Sequence, residues 1–278
     1  MNLELVFEPL QYSFMVRAFL GVSLVAVIAA IIGTFVVLKG LAFLGDAIAH
    51  TAFTGIAVGL LLGISIHLSA FSFALLTALG VVFLTRISQV RNDTALAILF
   101  TGVFALGIVL LSTSPGFVGD LNSLLLGSVL AIQAGDIAVI ASFALLLLLV
   151  LSVFFPQFVL VSFDPVGAEA AGFPVVVFQS LLLILTAAAI VISIQAVGVV
   201  LVVALLITPA ATAGLLTKRL KAQMVISGVF GLVSSLLGLY ISYFFGAPPG
   251  ATVVLVATLL FAVVLVVQKL RRPGGKAC

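Results

Sequence analysis

Leu41-Ala-Phe-Leu-Gly45-Asp46-Ala-Ile-Ala-His50-Thr-Ala-Phe-Thr54-Gly55-Ile-Ala-Val-Gly59-Leu-Leu-Leu62 is an apolar stretch with one carboxylate and one imidazole inside it. As a helix rising ~1.5 Å per residue it matches the ~30 Å hydrocarbon core of a bilayer. Asp46 then lies ~7.5 Å and His50 ~13.5 Å from the Leu41 end, so His50 sits near the midplane. Their i, i+4 spacing puts both side chains on one face with Cβ atoms ~5–6 Å apart, and Thr54 continues the stripe. Ala42, Gly45, Ala49, Ala52, Gly55 and Gly59 are small. The Gly55–Gly59 spacing permits close helix approach, so this helix is expected inside a bundle and not against lipid.

The rest of the chain agrees. Of 278 residues 64% are hydrophobic and 7% charged, which excludes a soluble fold and leaves no room for a separate soluble domain. Apolar runs and their breakers predict nine spans near 18–38, 41–62, 68–87, 94–111, 137–155, 174–194, 197–216, 224–245 and 251–267. The runs are continuous instead of alternating, which argues against a β-barrel. The expectation is an all-α polytopic membrane protein, a single domain over 1–278. The first run, from Ala18, follows a lead carrying Glu4, Glu8 and Arg17 and lacks the basic start of a signal peptide, so it reads as a span that stays.

Basic residues flank alternate span ends: Lys39; Arg86 and Arg91; Lys218, Arg219 and Lys221; Lys269, Arg271, Arg272 and Lys276. An odd span number with the N-terminus outside places these in the cytoplasm and leaves only Arg17 outside. Basic residues so distributed orient a membrane protein and do not indicate a nucleic-acid partner. The single cysteine, Cys278, allows no intrachain disulfide and no thiolate-rich metal site.

Two stretches between spans are more than turns. Leu121–Ile132 is an apolar run opened by Asp120 and too short to cross; it reads as a half-helix at the outer face. Pro156–Phe173 lies on the cytoplasmic side. Within it Asp164 is placed to cap a short helix, Pro165 suits its first turn and Gly172 its end. Such a helix is either a docking element or a connector.

Asp at a helix centre costs roughly 2.5–3.5 kcal/mol on insertion scales, so the Asp46/His50 pair needs an explanation. A carboxylate oxygen and an imidazole nitrogen suit Mn, Fe or Zn and not Cu(I). Two ligands are too few to hold such an ion alone, but a homodimer meeting at this helix would supply four. A proton relay and a structural hydrogen-bonded pair are the alternatives. Pro209, with Thr208 before it and Thr212 after it, should bend its span and free a carbonyl, either lining a path or merely packing. His67 reads as a solvated loop histidine, and Gln179, Gln195 and Asn122 carry little signal. No hydrolase, metalloprotease or phosphate-loop motif is present, so no catalytic residues are assigned and any ATP coupling must come from another chain. An ATP-independent carrier or channel using the pair as a relay is the competing class.

Gly45-Asp46-Ala47-Ile48-Ala49-His50-Thr51-Ala52-Phe53-Thr54-Gly55, Ser162-Phe163-Asp164-Pro165, and Gly198 through Thr208-Pro209-Ala210-Ala211-Thr212-Ala213 together resemble the signatures of zinc/manganese/iron-type ABC transporter permeases. Leu126-Gly127-Ser128 and Pro249-Gly250-Ala251-Thr252 extend the likeness over essentially the whole chain. The resemblance implies a homodimeric permease in a bacterial cell membrane that works with separate ABC ATPase subunits and an extracytoplasmic metal-binding protein. It implies no permanently bound cofactor; Mn, Zn or Fe is cargo. Asp46 and His50 would take the metal, and Thr54, Thr208 and Pro209 could line its path. Phe163, Asp164, Pro165 and Glu169 would couple to the ATPase. Val166 stands where many relatives carry an acidic residue, and Glu169 could supply that charge one turn on.

Overall fold

The computed structural model describes residues 8–87, 92–112 and 127–271. Among these, long helices follow one another through short breaks: α1 Ser13–Leu38, α2 Ala42–Leu62, α3 Ile66–Ile87, α4 Asn92–Ser112, α5 Ala134–Val153, α6 Phe155–Phe163, α7 Pro165–Ala170, α8 Val175–Val197, α9 Val199–Leu216, α10 Leu220–Phe245 and α11 Pro249–Arg271. Eight are long and apolar enough to cross a membrane, and α4 adds a shorter apolar stretch, Thr94–Leu110. The nine apolar runs expected to span fall on nine of these helices, with ends displaced by up to five residues. No strand occurs among the described residues.

The breaks follow local chemistry. Gly63 closes α2 in the left-handed conformation, at φ +65°, a geometry glycine adopts without a Cβ clash. Gln133 and Asp136 form a reciprocal capping box at the start of α5, with the Gln133 amide donating to Asp136 Oδ2 at 2.9 Å. Of the run expected to form an outer half-helix, the described part holds a 3-10 turn, Val129–Ala131, preceded by Gly127 at φ +74°. Asp120 and Leu121–Leu126 lie outside the described residues, as do Glu4, Arg91, Asn122, Arg272, Lys276 and Cys278.

α1 and α2 are the most enclosed spans, whereas α5 and α11 are the least. α1 packs against α9 and α10, and α2 packs against α3 and α4. The apolar core runs through Ile28, Ile32 and Phe35 of α1 and Leu44 and Ile48 of α2, all at most 2% exposed. Backbone approach is close where α1 meets α9. A Cβ built on Gly33 would lie 2.8 Å from the Leu206 carbonyl carbon and would strike its oxygen. The Leu206 side chain points to α2, with Cδ2 only 2.7 Å from a Cβ built on Gly45. One leucine therefore ties α1, α9 and the helix bearing Asp46 together.

The segment 156–173 is more ordered than the sequence reading gave. α6 precedes the capped helix, with Pro156 in its first turn, and is held on α1 by edge-on contacts of Phe35 with Phe155 and Phe158 at 6.5 and 6.1 Å. Pro156 directly follows the span expected over 137–155 and opens the stretch after it; it is also a residue well suited to beginning a helix.

Candidate metal path

α2 presents Asp46 and His50 on one face, as the spacing required. His50 Nδ1 lies 2.9 Å from the Asp46 carbonyl oxygen and 3.4 Å from Asp46 Oδ1. Nδ1 therefore faces oxygen acceptors, and the proton belongs there. That tautomer leaves the Nε2 lone pair free for a cation. The side chains of Asp46 and His50 are 44% and 23% exposed, so the pair is reachable in the single chain, not sealed in its core.

α4 supplies the wall beside the imidazole. Phe100 and Phe104 meet it edge-on, with ring centroids 5.2 and 5.3 Å away, and stack on each other at 5.9 Å. These contacts restrict the ring to a narrow range of orientations. Thr54, further along the stripe, is fully buried and donates its hydroxyl to the Val103 carbonyl at 3.0 Å. On another face, Cβ atoms built on Gly55 and Gly59 would meet the backbone of α3, at 2.7 Å from Ala70 Cα and 3.1 Å from Ile66 Cα. The small residues thus let α3 close in on one side while α4 covers the other. Among the described residues no group of three or more His, Cys, Asp or Glu side chains gathers. One chain offers two candidate ligands here.

Thr208 and Pro209 lie within α9, which continues across the proline to Leu216. Thr212 donates to the Thr208 carbonyl at 2.7 Å, and Pro209, lacking an N–H, leaves the carbonyl four residues back without its helical donor. His67 stands apart, lining a cavity of about 480 Å³ with Asp136 and Gln195.

At the opposite end of the fold Asp164 caps α7, its Oδ1 accepting from the Gly167 amide at 2.8 Å. Ala168 is buried with Val161 and Val175 beneath the short helix. Phe163 and Val166 project outward, 57% and 77% exposed, beside exposed Pro165 and Glu169. Gly172, at φ +80°, turns the chain into α8. A cavity of about 340 Å³ beneath this corner is lined by Lys39, Thr85, Ser162 and Gln179. Burial lowers the Lys39 ammonium below the ordinary lysine value, and Ser162 Oγ is buried without a hydrogen-bond partner among the described residues.

The aromatic pair beside His50 was not singled out from the sequence. Phe100, Phe104 and Gly107 recur at i, i+4 and i+7 and mark one face of α4, but only pairing with α2 shows that this face receives the imidazole and Thr54.

The description "ABC 3 transport family" belongs to a family model that matches residues 11–268. The manganese transport system membrane protein MntC of Listeria monocytogenes serovar 1/2a is 40% identical over 252 residues, covering 91% of this chain and 90% of that protein. The "probable iron transport system membrane protein" of Haemophilus influenzae is 33% identical over 261 residues, covering 94% and 92%. Among solved structures, PsaBC from Streptococcus pneumoniae in complex with Fab superposes with a TM-score of 0.84 at 34% identity, covering 95% of each chain.

Proposed function

This chain belongs to the ABC 3 transport family, and from that premise we propose that it is the membrane permease of an ATP-binding cassette importer for divalent transition metal ions. It is not itself an enzyme; ATP hydrolysis is the work of a separate subunit. Manganese is the favoured cargo, because relatives at 40% identity are named as membrane proteins of a manganese transport system, and a 33% relative named as a "probable iron transport system membrane protein" keeps Fe within the same ligand chemistry. Zn is equally compatible with one carboxylate and one imidazole.

The observation that carries this reading is the half-exposed Asp46 carboxylate beside an imidazole whose Nε2 is left free. Two copies meeting near α2 would bring two Asp and two His to one ion. Loose, shared ligation suits a cargo that must leave again. The remaining sequence candidates take secondary roles. Thr54 holds α2 against α4, and the carbonyl freed by Pro209, beside Thr208, is available to a passing cation.

Coupling follows at the cytoplasmic face, the side to which Asp46 is nearer. Exposed Phe163, Pro165 and Glu169 on the Asp164-capped helix form the surface that an ABC ATPase would grip. Closure of the ATPase dimer would move α7, rock the two permeases and switch access to Asp46 and His50. An extracytoplasmic metal-binding protein would deliver the ion outside. The N-terminus is assigned to the outer side and the C-terminus to the cytoplasm by the basic residues. Such switching drives transport only if metal binds the two states with different affinity.

The test is metal uptake into proteoliposomes holding this chain with its ATPase and binding protein. Asp46→Asn and His50→Ala should each abolish ATP-driven Mn uptake while the ATPase still assembles. Full uptake in both variants would remove the pair from the path.

A further inference from the structure

A cavity of about 500 Å³ opens between α1, α5, α6 and α10, away from Asp46. Its walls are apolar, formed by Ile31 of α1, Leu148 and Leu151 of α5 and Met224 of α10. Lys221 stands at its mouth, with Nζ 5.2 Å from the centroid of the Phe155 ring. Ile31 lies seven residues from the end of α1 at Leu38, so the groove runs ~10 Å into the hydrocarbon. Lys218 and Arg219 are exposed beside Lys221, placing three cations within four residues. Among the described residues none of the three has a carboxylate partner.

This combination selects its occupant. A metal ion would be repelled by Lys221 and would find no carboxylate on the walls. A small soluble anion would gain nothing from ~10 Å of hydrocarbon lining. An amphiphile satisfies both ends, its acyl chain covering the apolar wall and its anionic headgroup meeting the cations at interfacial depth. We propose that this groove is a binding site for an anionic phospholipid of the cytoplasmic leaflet, of the phosphatidylglycerol type. The site rests on the orientation proposed above, which places residues 218–221 on the cytoplasmic side. Phe155 and Pro156 form part of its wall, and they begin the helix that leads directly into the Asp164 cap. A bound lipid would therefore brace α6 between α1 and α10 and hold the base of the coupling helix.

The chain contains no tryptophan, so Leu148→Trp places a reporter in the groove against a silent background. The full-length variant in vesicles is titrated with phosphatidylglycerol or phosphatidylcholine brominated on the acyl chain. The phosphatidylglycerol should quench at a mole fraction lower by about a hundredfold, since each of the three bases near the surface is worth about fivefold. Lys221→Gln should reduce that preference about fivefold, and adding Lys218→Gln and Arg219→Gln should abolish it. Equal quenching by the two lipids, a preference that survives the triple substitution, or displacement of the lipid by millimolar inorganic phosphate would overturn the proposal. If Leu148→Trp does not fold, Val225→Trp on the α10 wall gives the same readout. No metal enters this assay, so its failure is distinct from failure of the transport reading; Asp46→Asn should lose uptake yet keep the lipid preference.

Discussion

Gly33→Ala tests whether the approach of α1 to α9 supports the helix that carries Asp46 and His50. The added methyl would sit 2.8 Å from the Leu206 carbonyl carbon and 3.3 Å from its Cα, where carbon atoms prefer about 3.5–4.0 Å. The obstacle is backbone, so no rotamer change relieves it, and the helices must part by about 1 Å. A gap of that size forfeits roughly a quarter to a half of each contact's attraction. A buried leucine makes about 40–60 contacts of ~0.1–0.2 kcal/mol each, so Leu206, fully buried, would lose about 2–4 kcal/mol. That overlaps the ~1–3 kcal/mol typical of overpacked cores. Moving α9 also carries the Leu206 side chain away from Gly45, next to Asp46. The expected result is an apparent Tm about 5 °C lower in detergent together with reduced Mn uptake. Gly228→Ala is the control, since Gly228 is also buried within a helix but a Cβ there meets nothing within 4 Å. Equal Tm and uptake in the two variants would refute the reasoning.

Three further outcomes are expected. Asp164→Ala should remove a cap worth about 1 kcal/mol, lowering metal imported per ATP hydrolysed while Mn binding is kept, whereas Asp164→Asn, which can also cap, should stay coupled; an Ala variant as tightly coupled as wild type counts against the role of α7. Thr54→Val deletes the hydroxyl that bridges to Val103 and should cost about 1 kcal/mol, read as a lower unfolding midpoint, and an unchanged midpoint would mean the bond contributes nothing. Lys39 is held below the ordinary lysine value by burial, so the unfolded chain binds more protons there between the lowered and ordinary values, and stability rises with pH across that window. Lys39→Met should therefore be more stable than wild type at neutral pH, an advantage that fades as pH climbs through the window; a pH-independent difference in thermal melts would exclude burial of this charge as the cause.

Much of this molecule is legible in its sequence because lipid imposes a simple rule, that a span must be long, apolar and internally hydrogen-bonded. The short capped helix was equally legible, since Asp164, Pro165 and Gly172 each do one local job. What could not be read was which neighbour covers which face. Asp46, His50 and Thr54 form a stripe by helix arithmetic, but whether Thr54 opens to a path or locks against another span depends on α4. A glycine at 107 leaves room there for the threonine; a Cβ at that position would come within 3.0 Å of Thr54 Cβ. The helix Phe155–Phe163 escaped for a different reason. A proline after an apolar run is an equally good signal for a stop and for a start, and only the packing of Phe35 on Phe155 and Phe158 decides between them.

Leu206 faces two glycines in unlike ways, and this shapes how such a sequence can drift. Toward Gly45 it offers a flexible side-chain tip, so a larger residue at 45 can be matched by trimming position 206, and the two sites can change in concert along a neutral route. Toward Gly33 it offers its own carbonyl, which every amino acid carries. No exchange at 206 opens space for a Cβ at 33, and that glycine is fixed by the backbone of its neighbour, not by any side chain that mutation could alter.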